Sequence, residues 1–200
     1  MKAAILCPGP SVNDFPRHWR DYDLRLGVNR TPLCFAVDWW VATDDRILKT
    51  FRPPYVPKLF TQKETEYRLS KQPDFRIKPT MLYESLFDEF PNTGHWCEVH
   101  GLTESERRCC ELGGKHNWSF LSATAALVLA AHLGATQIDI FGADWKGTGD
   151  WDGFEYDYPG EEAHRTRNAE RWETREKPCW NRWVAKLKAR GIEVNRLAAN

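Results

Sequence analysis

No run of this chain approaches the roughly 20 consecutive apolar residues that a membrane-spanning helix needs. Charge of one sign is missing too. Lys+Arg (28) and Asp+Glu (28) cancel to a formal net charge of +0. A non-specific nucleic-acid binder carries a basic excess, so nucleic acid is disfavoured as a partner, although a local basic groove is compatible with zero net charge. The amino end, Met1-Lys2-Ala3-Ala4-Ile5-Leu6, has one charge and too short an apolar run for a secretory leader. The chain reads as a cytoplasmic protein. Internal repeats and low-complexity tracts are lacking. Six cysteines lie too sparsely for a disulfide framework, and Cys7 and Cys34 sit in apolar contexts that suit buried free thiols.

What is present suits one domain over residues 1–200, long enough to bury a core. Ten tryptophans stand out. Trp39-Trp40 and the spaced Trp172, Trp180 and Trp183 read first as core and helix-face packing, and otherwise as the lining of a cleft. The composition leaves room for a homo-oligomer.

The apolar runs predict strands at Ala3–Leu6, Leu24–Val28, Trp39–Ala42, Lys58–Phe60, Lys78–Leu82, Ile138–Phe141 and Ile192–Val194. Ser122 to Leu133 is small-residue-rich and apolar all round, the pattern of a helix buried on a sheet, with Gly134 to end it. Glu161 to Arg190 reads as a polar helix interrupted at Pro178. Ser11 suits a helix N-cap, and Pro16 keeps that helix short. From about Glu84 to Trp118 the pattern is polar and glycine-rich, an insertion or lid. Together these predict an α/β fold: a Rossmann-like, mostly parallel sheet flanked by helices.

Candidate site residues cluster where strands end. Cys7-Pro8-Gly9-Pro10-Ser11 follows the first strand. Gly9 allows close backbone approach, and helix-start N–H groups attract phosphate, so the loop reads as a phosphate seat or a plain turn. Asn29 and Arg30 follow the second strand and suit a ribose or base edge and a phosphate. Asp44 and Asp45 follow the third; they read as an N-cap with first-turn acid, or as Mg²⁺ ligands. Asp144 ends a later strand and reads as a ligand contact or a turn cap. His164, beside Glu161 and Glu162, is a candidate acid or base, or a solvated surface side chain. Cys97, His100, Cys109, Cys110 and His116 lack standard zinc spacing, and adjacent cysteines do not readily share one metal.

The stretches Ala3–Ser11, Leu26-Gly-Val-Asn29, Ser122 through Gly142-Ala-Asp144, and His164-Arg-Thr-Arg-Asn168 resemble, in this order, the bacterial lipooligosaccharide sialyltransferases. That family carries Asn where Pro8 stands and Gln where Arg30 stands. The resemblance implies a transferase moving a sugar from a nucleotide-sugar donor, CMP-linked in the family, to the hydroxyl of an unidentified acceptor, without a metal. By it Gly9, Pro10, Ser11 and Asn29 would contact the nucleotide, and Ser122 the donor phosphate or sugar. His164 would be the general base, with Tyr156 and Tyr158 helping the phosphate leave. More distantly the chain is similar to the archaeal-type hydroxymethylpterin diphosphokinases, which use ATP and Mg²⁺. That resemblance would promote Asp44, Asp45 and Asp144 to metal or substrate ligands and demote His164. A non-catalytic nucleotide-binding or protein-interaction module is the third reading.

Overall fold

A computed structural model describes residues 1–55, 57–71, 78–86, 122–144 and 177–197. Seven strands are β1 (Lys2–Leu6), β2 (Leu24–Val28), β3 (Trp39–Val41), β4 (Lys58–Thr61), β5 (Met81–Leu82), β6 (Gln137–Phe141) and β7 (Glu193–Arg196). They form one sheet in the order β5-β4-β3-β2-β1-β6-β7, and every pairing is parallel. The chain steps outward from β1 to β5, then returns to lay β6 on the other side of β1. This is the doubly wound Rossmann-like arrangement, with its topological switch between β1 and β6.

A parallel sheet needs both faces covered, and its strands read as continuous apolar runs for that reason. Ala3 and Ile5 of β1, and Cys7 just after it, face a core built with the helix α3 (Ser122–His132). Trp180, Trp183 and Leu187 of the helix α4 (Lys177–Ala189) join that core. Ala4 and Leu6 face the other way, onto Val12, Phe15 and Tyr22. Farther along that face, Trp40 and Leu59 pack under α1 (Asp45–Thr50) and α2 (Lys63–Ser70).

α3 matches its sequence pattern: Ser122 through Ala130 are all buried. It closes through Gly134 N–H to Ala131 O and Ala135 N–H to Ala130 O, both 3.0 Å. Pro178 lies in the first turn of α4, where its missing N–H costs no hydrogen bond. Residues 161–176 of the long helix expected there lie outside the described residues, as does most of the expected insertion. Tyr83–Leu86 at its start is a 3₁₀ turn. Of the tryptophans, Trp39, Trp40, Trp180 and Trp183 are core, whereas Trp19 is exposed; Trp172 lies outside the described residues. No described helix is long and apolar enough to cross a membrane.

Two expectations need correcting. Cys34, whose apolar context suited a buried thiol, is exposed. Ser11 does not cap a helix. The segment Pro10–Arg17 is a 3₁₀ helix whose N-cap is Gly9. Ser11 is its second residue, and its hydroxyl is engaged elsewhere.

Near the amino ends of the strands, Asp139 on β6 is a buried carboxylate, 4% exposed. It accepts from Tyr22 Oη at 2.8 Å and from Asn195 Nδ2 at 3.0 Å, and pairs with Lys2 Nζ at 3.2 Å. These contacts tie β1, β6, β7 and the Tyr22 segment together. Burial pushes the Asp139 carboxyl up, but hydrogen bonds from Asn195, Tyr22, Lys2 and Gln137 outweigh it and hold it below its ordinary value. A folded-state pKa below the unfolded ~3.9 means stability present above that value and lost as pH falls through the lower one. Asp139→Asn is therefore expected to cost about 1–3 kcal/mol at neutral pH. In urea unfolding the gap from the parent protein should narrow below about pH 3. A gap independent of pH would show that the charge is not its source.

Candidate functional site at the carboxyl edge of the sheet

Because all pairings are parallel, the strand ends gather their following residues along one edge. In a doubly wound sheet this edge holds the ligand crevice. Cys7–Ser11 follows β1, Asn29–Thr31 follows β2, Ala42–Asp45 follows β3 and Gly142–Asp144 follows β6. The structure thus brings Gly9, Pro10, Ser11, Asn29, Arg30, Ser122 and Asp144 to the same edge. Tyr156, Tyr158 and His164 lie outside the described residues, as do Cys97, His100, Cys109, Cys110 and His116.

The turns after β1 and β6 are clasped together. Cys7 N–H donates to Phe141 O at 2.8 Å, and Gly9 N–H to Gly142 O at 2.9 Å. Ser11 N–H donates to Asp144 Oδ2 at 2.8 Å, and Gly142 N–H returns to Ser11 Oγ at 2.9 Å. Val12 N–H turns inward to Gly9 O at 3.1 Å. Pro8 and Pro10 have no N–H. Every backbone donor from Cys7 to Val12 is therefore spent inside the chain. The loop was expected to present these N–H groups to a phosphate, and here it does not.

The approach is close enough to dictate residue type. A Cβ on Gly9 would lie 2.5 Å from Gly142 O and 2.6 Å from Asp144 Oδ2. One on Gly142 would lie 1.9 Å from Cys7 O, and Gly142 also has φ +71. Cys7, beneath the clasp, is held as a neutral thiol. Burial, and secondarily the Asp144 carboxylate, push its pKa far above the ordinary value.

Beyond β2 the backbone turns at Asn29, a non-glycine residue with φ 55. Asn tolerates this left-handed region better than most residues. β3 holds it there. Asn29 N–H donates to Val41 O at 3.0 Å, and the Trp40 indole N–H donates to Asn29 O at 2.7 Å. Asn29 Oδ1 is buried and has no hydrogen-bond partner among the described residues. Arg30 is buried, with its guanidinium 5.1 Å from the centre of the Phe51 ring. Thr31 places its hydroxyl 3.0 Å from Leu6 O and 3.1 Å from Val28 O, stitching β2 to β1.

Ser122, at the start of α3, places its hydroxyl 2.8 Å from Thr43 Oγ1 and accepts from Thr43 N at 3.3 Å. This fixes α3 to the end of β3. Sequence reasoning missed Thr43 and Trp40 as supports. A lone hydroxyl or indole in a strand run carries no sign of its partner, although the polar Thr43 ending an apolar run was a usable cue.

Asp44 and Asp45 take the helix-cap arrangement. Asp44 Oδ1 accepts from Arg46 N at 2.9 Å, and Arg46 Nη2 lies 2.6 Å from Asp44 Oδ2. Burial alone would raise the Asp44 carboxyl; hydrogen bonds and charge from Arg46, with Arg68 farther off, hold it below its ordinary value. Asp45 pairs with Lys49 at 2.6 Å. Both acids already face cations of the chain. Two strands, β1 and β2, separate them from the β6 end that carries Asp144. Among the described residues no group of three or more His, Cys, Asp or Glu is placed to hold a metal ion.

No protein-family model matches the chain, and no curated protein matches it in sequence. Among the solved structures that resemble it in fold are two sialyltransferases. One is the sialyltransferase CST-II in complex with a trisaccharide acceptor and CMP, 13% identical, over 100% of this chain and 82% of that one, with a TM-score of 0.49. The other is a mammalian sialyltransferase in complex with Gal-β-1-3GalNAc-ortho-nitrophenol, 11% identical, over 100% of this chain and 70% of that one, also at 0.49. At that level the likeness transfers no chemistry, and the fold rests on the sheet itself.

The clasp yields a direct stability test. Gly134 also has a positive φ (+90), but a Cβ there would meet nothing within 4 Å. Gly134→Ala should therefore cost only the left-handed penalty, about 1–2 kcal/mol. Gly142→Ala adds a backbone clash and should cost at least about 3 kcal/mol, or prevent folding. Denaturant midpoints compare the two. Equal costs would mean that the two turns can separate freely.

Proposed function

We propose that the chain is a transferase that binds a nucleotide-activated sugar across the carboxyl edge of β1 to β3 and passes the sugar to an acceptor hydroxyl. Asn29 carries this reading. Its N–H and carbonyl are held at positive φ by Val41 O and the Trp40 indole, and its buried side-chain oxygen, with no partner among the described residues, is desolvation kept at the edge where such folds bind ligands. The ordered motifs that resemble the sialyltransferases supply the chemistry.

In that reading Asn29 and Arg30 hold the nucleotide, with Gly9, Pro10, Ser11 and Asp144 forming the pocket wall beside them. Ser122 borders the donor phosphate or sugar. His164 removes the proton from the acceptor hydroxyl. The oxygen attacks the anomeric carbon, the bond from that carbon to the phosphate oxygen breaks, and the nucleotide leaves with its negative charge steadied by Tyr156 and Tyr158. The Mg²⁺-dependent diphosphokinase reading stands behind it, because Asp44 and Asp45 are paired with Arg46 and Lys49. A non-catalytic module is the outcome if no nucleotide binds.

Calorimetry with CMP, UDP, GDP and ATP, with and without Mg²⁺, tests the proposal. Binding of at least one nucleotide without Mg²⁺ is expected, weakened about tenfold in Asn29→Ala. His164→Ala should keep that affinity and lose about 10²–10⁴-fold in transfer rate. Binding of ATP only with Mg²⁺, with full activity in His164→Ala, would overturn it.

A further inference from the structure

Resting on that reading of the edge as a nucleotide site, we propose that the Cys7–Ser11 turn together with Asp144 seats the hydroxyl pair of the ligand's ribose, not its phosphate. Donors and acceptors decide between the two. A phosphate is bound by N–H groups and cations. The turn has no N–H left to give, since Cys7, Gly9, Ser11 and Val12 all donate within the chain. Its anion position is also taken. Asp144 Oδ2 sits on Ser11 N–H at 2.8 Å, where a bound phosphate oxygen would otherwise lie. A phosphate placed beside it would face a carboxylate at close range in a half-buried setting, where like charges repel strongly.

What the turn offers instead is an acceptor. Asp144 is half-buried, and among the described residues only its Oδ2 is engaged, which leaves Oδ1 to accept from a ligand. On the other side of β1, Asn29 Oδ1 is a second acceptor, buried and without a partner among the described residues. β2 and β6, which carry these groups, flank β1 directly, so the two acceptors belong to strands roughly 10 Å apart, too far for one diol to reach both, and the seat rests on Asp144. A central turn with no spare backbone donor, beside a carboxylate oxygen left to accept, suits a ligand part that donates. A vicinal diol does so, giving its O–H groups to a carboxylate. Gly9 fits this role as well. With no Cβ it lets Asp144 close onto the turn, where a side chain would meet Asp144 Oδ2 at 2.6 Å.

The test uses the whole chain and whichever of CMP, UMP, GMP and AMP binds most tightly. Its dideoxyribose analogue, which lacks both ring hydroxyls, is titrated beside it, with inorganic pyrophosphate as a third ligand. Asp144→Asn retains an oxygen to accept from Ser11 N–H but loses the charge. The parent protein should bind the ribonucleotide about tenfold more tightly than the dideoxy analogue. Asp144→Asn should abolish that difference by weakening the ribonucleotide alone, with pyrophosphate unchanged. Equal affinity for the two nucleotides in the parent protein overturns the proposal, and this arm needs no variant to fold. Tightening of all three ligands in Asp144→Asn also overturns it, because the carboxylate would then be repelling a phosphate seated at the turn. If none of the four nucleotides binds, the nucleotide reading itself falls, and the hydroxyl seat falls with it.

Discussion

The hydrogen bonds that join the turn after β1 to the turn after β6 constrain the whole carboxyl edge. Four of them run between Cys7, Gly9, Ser11 and the Phe141–Asp144 segment. They lie at the topological switch, where doubly wound sheets usually open a crevice. Here the crevice is laced shut at its floor. The lacing forces glycine at two positions, buries a thiol under a carboxylate and uses up the donors of the first loop. In the proposed reading a ligand settles above the clasp and toward the end of β2, where Asn29 and Arg30 stand.

Most of the sheet was legible because parallel strands buried on both faces must be apolar throughout. Ala3–Leu6, Leu24–Val28 and Ile138–Phe141 read that way and are strands. α3 was legible for a related reason, as a helix covered on every side can carry only small or apolar residues. α2 was not. Lys63–Ser70 is mostly polar, and Gln62 before it makes no side-chain cap, so neither period nor cap marks it.

The site was legible as a set of positions and illegible as a set of bonds. The strand ends placed Gly9, Asn29 and Asp144 along one edge, as the structure has them, with Ser122 bonded to Thr43 there. Nothing local to Ser11 says that its N–H and hydroxyl are claimed by residues 133 and 131 positions away. Asp139 is the converse case. An acid in the middle of Gln137-Ile-Asp-Ile-Phe141 is a visible anomaly, and its four partners at the amino edge explain it. The carboxyl edge differs in holding a buried amide oxygen, Asn29 Oδ1, that has no partner among the described residues.

β1 is the first strand in the chain, yet it is interior to the sheet, and its second neighbour, β6, begins only at Gln137. During synthesis, β1 to β5 emerge before the strand that will cover its other side exists. For that interval Ala3–Leu6 is an apolar edge with unpaired backbone groups, the kind of edge that other chains readily join. The clasp after β6 is then also a late event. The carboxyl edge takes its final shape only when the segment after β6 closes onto the turn after β1.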